Sequence, residues 1–540
     1  MALECKHKTS GRRNKSLTGL FCLFFLASVA WTIAQDVQRK PSTNPKKIHI
    51  EHDDSMLFRK EMNPDVYVLL GNVHIRHDST FVYCDSAYVS EKTNSFEAFS
   101  NVRIEQGDTL FIYGDYGHYD ANIAMARLRD NVRMENKGVT LFTDSFNFDR
   151  NKNIAYFFDG GVIVDSINEL SSIYGQYSPD TKIANFQKNV KVNNPNFVLT
   201  SDTLDYSTLT KVATILGPSV IESDSGTIYS TRGWYNTETE ESMLYDRSIV
   251  VSQDKYKAIT ADSMSYNRFA GYGEAFSNAE ITDTLNKIIL TGHYAYFNDK
   301  TNYAYITDSA RFVEYSQGDS LYTHADTFKM RTIEEKFREI KAYYGVRFYR
   351  SDIQGVCDSM QFNTKDSLLY LYKEPILWNT FYQMNGDTIV LFFNDSTIRK
   401  VNVINYAFAV EKLDSTYYNQ MKGRILTAYF GGGELERVDV DGNAETIYYP
   451  IDQGAFVGRN KTESSFFSIS VRNRKPYKIV TWPASSGTIL PLPDLSPDDK
   501  FLKDFIDFDY LRPVDKDDIF LEKKRKTEDV APVRKMRHLQ

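Results

Sequence analysis

Residues 100–149 read SNVRIEQGDTLFIYGDYGHYDANIAMARLRDNVRMENKGVTLFTDSFNFD. Two phrases occur twice within this stretch. One is Asn-Val-Arg followed by an aliphatic residue, at Asn101 and at Asn131. The other is an aspartate opening an alternating run, at Asp115 and at Asp144. In Val102-Arg103-Ile104-Glu105 and Val132-Arg133-Met134-Glu135, apolar and charged residues alternate, which is the mark of a strand with one face buried.

Working outward, the first phrase recurs at Asn72, Asn101, Asn131, Gly161, Asn189, Ser219, Ser248, Asn278, Ser309, Gly345, Glu374 and Asn402. The spacings are 28 to 31 residues, apart from one of 36. A fixed period of this size predicts a repeat architecture. The second phrase recurs as Asp144/Phe146/Phe148, Asp202/Leu204/Tyr206, Asp262/Met264/Tyr266, Asp326/Phe328/Met330 and Asp358/Met360/Phe362. A third alternating run closes each period, so about three short strands per repeat are expected. A helical period shows most clearly in TIEEKFREIKAY, residues 332–343, inside the long interval, and reads as a local insertion or a deformed strand. The fold class expected is all-β: an elongated, repeat-built array with a period of about 30 residues.

The chain has 540 residues, a net charge of −7, 36 tyrosines and 35 phenylalanines. Residues 1–34 carry five basic side chains and one acidic one, a net of +4, so the remainder carries −11. That balance argues against a nucleic-acid partner. Residues 1–34 read as an export signal: basic up to Lys15, apolar from Leu17 to Ile33, then Thr32-Ile33-Ala34 as a small-residue cleavage site, with an uncleaved anchor as the rival. Residues 35–64 read as a polar linker, 65–450 as the array, 451–490 as degenerate terminal strands and 491–540 as a Pro-rich, charged, partly disordered tail. That tail is either solvated or a basic arm for an anionic partner. Cys84 and Cys357 each precede the repeated aspartate in distant repeats, so no disulfide joins them.

No catalytic constellation is legible, and the chain is expected not to be an enzyme. His74 and His77 lie three apart on a strand-like stretch, point to opposite faces and make a poor metal pair. No cofactor or metal site is expected. The repeated aspartate, replaced by Ile, Thr or Gly in weaker copies, reads as strand-start punctuation. The informative feature is the apolar face. Its inward set is Val73, Ile75, Val102, Ile104, Val132, Met134, Phe146, Phe148, Val162, Val164, Val190, Val192, Leu204 and Tyr206. Stacked repeats make this a long interior, either a dry core or, if the sheets stay open along one side, an apolar groove suited to acyl chains.

The order Asn-Val-x-Ile, a turn, then a strand leading to aspartate and alternating aromatics resembles the OstA-like domain. That domain is found in periplasmic lipopolysaccharide-transport proteins of the LptA type and in the N-terminal part of their outer-membrane partner. The residues carrying the likeness include Asn101-Val102-Arg103-Ile104, Gly107-Asp108-Thr109-Leu110 and Gly114-Asp115, then Asn131-Val132-Arg133-Met134 and Thr143-Asp144. Repetition over residues 65–450 is similar to the long OstA-like proteins of Bacteroidota. The resemblance implies a β-jellyroll folded into an open V, a periplasmic location and carriage of lipopolysaccharide from inner to outer membrane, with lipid A acyl chains inside the V. It also implies end-to-end strand pairing with the jellyroll domains of inner- and outer-membrane Lpt components. At about 4.8 Å per strand, twelve three-stranded repeats would span roughly 150–170 Å. Two other readings stay open: a secreted β-solenoid that binds or cleaves polysaccharide, and a structural envelope protein with a dry core.

Overall fold

The computed structural model describes residues 47–526 apart from 59–64, 317, 335–336, 395–396 and 474. The expected export signal lies outside the described residues, as does the end of the basic tail. Within them lies one antiparallel sheet of 36 strands, with a separate two-stranded ribbon at Ile451–Asp452 and Ala455–Phe456. The only helical elements among the described residues are four three-residue 3₁₀ turns near the C-terminal end.

Each period of about 30 residues supplies two long strands, not three short ones. The opening stretch forms Ser95–Gln106, Leu110–Asp120, Met125–Asn136 and Val139–Asp149, each paired with the next. Midway along the first and third, two consecutive residues turn left-handed: Ser100 and Asn101 at φ 61° and 50°, Asp130 and Asn131 at 60° and 51°. Asparagine tolerates this region better than most residues. The pair register jumps there: Phe99 faces Tyr116 while Val102 faces Gly114. The strand turns a corner, yet Ala98 before it and Val102 after it both point inward. Corners stacked rung upon rung crease the whole sheet lengthwise, and each rung contributes half its length to each of two arms.

The repeated aspartate braces this crease. Asn101 Nδ2 donates to Asp85 (2.7 Å), Asn131 to Asp115 (2.6 Å) and Asn278 to Asp262 (2.7 Å). Asp85 lies in the middle of Thr80–Ser90, and Asp144 in the middle of Val139–Asp149. The strand-start reading is therefore corrected: the two sequence phrases are partners at one corner. The alternation lapses for two residues at each crease, which makes one bent strand look like two. Asn402 is not a corner either; it lies in Thr397–Lys412, and the left-handed pair there is Asn405 and Tyr406.

Eight rungs are split at the corner into two short strands, for example Ile154–Phe157 and Gly161–Val164, so the 36 strands make 28 rungs. At about 4.8 Å per rung the stack is roughly 130 Å long. It is shorter than expected because each period advances the stack by two rungs. The array also begins before its expected start at residue 65 and ends in the terminal strands expected over 451–490. His49–His52 and Ser55–Phe58, in the supposed linker, form the first rung against Val66–His77. Gly458–Arg472, Lys475–Trp482 and Ser486–Pro491 continue it past residue 450. The helical-period segment is a hairpin between Leu321–Ile333 and Phe337–Arg350.

Residues 492–526 do not form the solvated tail the composition suggests. They run back over the outer face of one arm, burying Leu502, Phe508, Leu511 and Ile519. Three buried glutamines hold this strap. Gln420 donates to the Lys500 carbonyl (2.9 Å) and accepts from the Leu502 amide (2.8 Å). Gln383 does the same with Ile506 (3.0 Å) and Phe508 (2.9 Å). Gln354 accepts from the Arg512 guanidinium (2.6 and 2.8 Å). Each amide satisfies strap groups that burial would otherwise leave unpaired.

Candidate lipid-binding interior

Twelve of the fourteen residues expected to face inward are buried: Val73, Ile75, Val102, Ile104, Val132, Met134, Phe146, Phe148, Val190, Val192, Leu204 and Tyr206. Val162 and Val164 are only half-buried, and Ile163 takes the inward place, paired with buried Leu141. The reason is a corner one residue early. Gly160 carries the left-handed φ (90°), so Gly161 falls on the inner face. A Cβ there would stand 2.7 Å from the Phe157 ring, which is why glycine ends that corner.

The two arms meet or part along the mouth of the V. One arm carries hairpin turns such as residues 91–94, 121–124 and 150–153; the other carries 78–79, 107–109 and 137–138. In the N-terminal half, polar side chains from the two sets of turns interlock. The Tyr119 hydroxyl lies 2.8 Å from His77 Nδ1, and Arg150 reaches both His77 (2.9 Å) and Asp78 (3.3 Å). Lys182 Nζ donates to Asn136 (2.7 Å). Further along, buried Asp165 accepts from the Tyr206 hydroxyl (2.6 Å), from Lys211 Nζ (2.8 Å) and from the Ile167 and Asn168 amides (3.0 and 2.9 Å). Asn168 in turn donates to Tyr206 (2.7 Å) and Thr237 (2.9 Å). Burial alone would push the Asp165 carboxyl up, but Lys211, Tyr206 and the two amides outweigh it and hold it below the ordinary carboxylate value. Burial first, and then the Asp165 carboxylate, push the Tyr206 hydroxyl up. Behind these clasps the interior is packed, and the gap beside His77 and Tyr119 holds only about 20 Å³.

Past residue 220 the same inner positions are no longer sealed. Val250 and Ile281 are only partly buried, although they occupy the register of Ile104, and so is Met330 in the register of Phe148; Ile228, Ile259 and Ile288 are partly buried as well. A cavity of about 360 Å³ opens between the arms, lined by these residues with Met264, Leu290 and Phe297. That volume lies within the range of ordinary ligand pockets. A second cavity of about 110 Å³ lies near the C-terminal end, between Met384, Met421, Leu435, Phe467 and Ile479. The interior is thus a tight core in one half and an apolar cleft in the other.

Neither Cys84 nor Cys357 faces a reactive setting. Both are free and buried, and burial pushes the Cys84 thiol up to about 11. His74 packs edge-on to Tyr83, at 4.9 Å, while His77 belongs to the mouth clasp. The clasp residues were invisible to sequence reasoning. Tyr206 registers as an apolar inward position, but its hydroxyl is what meets Asp165, 41 residues away.

Residues 45–202 match the model of the OstA-like protein family. This part of the chain is OstA-like. The matched region covers the first rungs, their corner asparagines and most of the clasped half of the interior. Among solved structures, the chain is similar to LptH of Pseudomonas aeruginosa, described as the LptA-homologous periplasmic component of the conserved lipopolysaccharide transport device. The two are 14% identical; the match covers 26% of this chain and 99% of that one, at a TM-score of 0.21. No curated protein matches. The creased array continues well past the matched region, since left-handed backbone recurs as far as Gly442 and Asn443.

Proposed function

We propose that this OstA-like chain is a non-catalytic carrier in the periplasm that holds the acyl chains of lipopolysaccharide between its arms and bridges inner and outer membrane. The observation that carries this reading is the cleft lined by Ile228, Val250, Ile259, Ile281 and Ile288. That aliphatic wall belongs to one arm and faces Leu244, Met264 and Phe297 of the other, a setting that suits an alkyl chain, whose burial is worth about 0.8 kcal/mol per methylene. The charged outer positions keep the array soluble.

The two ends of the sheet support the bridging part of the proposal. At one end, the first rung leaves Met56, Leu57 and Phe58 exposed. At the other, Lys475–Trp482 and Ser486–Pro491 form the last rung, with Tyr477, Ile479 and Trp482 exposed. Such edges are templates for another strand, here the jellyroll domains of inner- and outer-membrane Lpt components.

The test is photo-crosslinking from the inward Ile281 and from its outward neighbour Glu280. Lipopolysaccharide adducts at position 281 and not at 280 are expected. Equal labelling at both, or none at either, overturns the proposal.

A further inference from the structure

The cleft between residues 221 and 338 is closed toward the N-terminus but not along its side. Toward the N-terminus it stops at Leu204, Ala213 and Ile215, all fully buried. There the Asp165–Tyr206–Lys211 network ties the arms together. Toward the C-terminus Val346, Phe348, Leu371 and Ile389 are buried, whereas Ile353, Met360, Leu369 and Phe393 stay only partly buried. The mouth over the cleft is spanned differently. Arg268 on one arm pairs with Asp224 on the other, and Arg338 with Asp283 at 3.7 Å. Asp224 is 78% exposed. Lys257 on one lip acts electrostatically on the Asp299 carboxyl on the other.

We propose that acyl chains occupy this chamber and not the N-terminal half, that they load sideways between the arms as these ion pairs part, and that the Asp165 network is a bulkhead. The inference rests on the carrier reading above and adds where the lipid sits. An alkyl chain sliding toward the N-terminus would have to strip a buried carboxylate of its hydroxyl, ammonium and amide donors, leaving charges unpaired in a dry interior. Parting the Arg268–Asp224 pair costs little, because Asp224 already stands mostly in water. The aliphatic wall of one arm faces Leu244, Met264, Phe297 and Met330 of the other, so the occupant is a hydrocarbon chain, with its polar head left at the lips beside Arg268 and Arg338.

The methionines report on this directly. Met264 and Met330 line the chamber, Met134 lies in the sealed core, and Met384 and Met421 line the second cavity. The full chain made with diazirine-bearing methionine is irradiated with lipopolysaccharide micelles, and the adducts are mapped by mass spectrometry. Adducts at Met264 and Met330, with none at Met134, are expected. Adducts at Met134 as strong as those at Met264 overturn the bulkhead while leaving the carrier reading intact. Adducts confined to Met384 and Met421 overturn the chamber assignment. No adduct anywhere overturns both readings. In Asp224→Ser the labelling rate at Met264 should rise about two- to five-fold, the worth of one exposed ion pair. An unchanged rate overturns sideways loading.

Discussion

Asn131 Nδ2 donates to Asp115 Oδ2 at 2.6 Å, and the Asn131 amide donates to Asp144 Oδ1 at 3.0 Å. One asparagine thereby ties its own corner to the rung before it and the rung after it. The side chain also belongs to the second of two left-handed residues, where most L-residues are strained. The crease of the sheet is maintained by such residues.

Asn131→Ala should therefore be more destabilising than Asn131→Gly. Both lose the hydrogen bond to a charged acceptor, but only alanine adds the left-handed strain of roughly 1–2 kcal/mol. Urea unfolding of both variants checks the order; a glycine variant no more stable than the alanine one would contradict it.

Removing the carboxylate in Asp165→Ala leaves Lys211 facing a dry pocket, and a cost of about 3–5 kcal/mol is expected. The folded carboxyl lies below its ordinary value, so its contribution is complete at neutral pH. It is lost as pH falls through the folded value, below about 4. Chemical denaturation of wild type and Asp165→Ala as pH is lowered should show the two stabilities converging there. A gap that stays constant would refute this role.

The strap should respond to milder acid. Burial pushes the His324 imidazole below its ordinary value of 6.5, while the Ala310 carbonyl opposes this; Arg347 lowers it further and Asp326 raises it. Its ring lies 4.8 Å from that of Phe520 on the strap. A depressed histidine contributes stability above its unfolded value, and the contribution is lost as pH falls toward the folded one. Hydrogen exchange across residues 515–523 should quicken as pH falls below about 6.5, and this change should shrink in His324→Phe. Equal pH dependence in both proteins would count against it.

Gln383→Leu keeps the volume but strands the Phe508 amide and the Ile506 carbonyl under the strap. A loss of about 1–3 kcal/mol per unsatisfied group is expected. The loss should appear as faster exchange near residues 506–508, with the N-terminal rungs unchanged. Uniform acceleration along the array would show instead that the strap supports the whole fold.

Much of this protein is set by local pattern. Alternation in Val102-Arg103-Ile104-Glu105 dictates a strand and its inner face, and recurrence every 30 residues or so dictates a stacked array. Both follow from side chains pointing to opposite faces of an extended backbone, which is a property of neighbouring residues. The strand count went astray because the left-handed pair interrupts the alternation without ending the strand. The fate of the tail was hidden because Gln354, Gln383 and Gln420 meet strap residues 80 or more positions away. Whether the interior is core or cleft was hidden for the same reason. Val192 and Ile281 follow the same inward register, yet one is fully buried and the other only partly. The difference is how far apart the arms stand. Buried contacts such as Tyr206 with Asp165 draw them together in one half, whereas the Arg268–Asp224 and Arg338–Asp283 ion pairs span the mouth in the other. Those contacts join turns about 40 to 70 residues apart, so only the folded chain brings them into being.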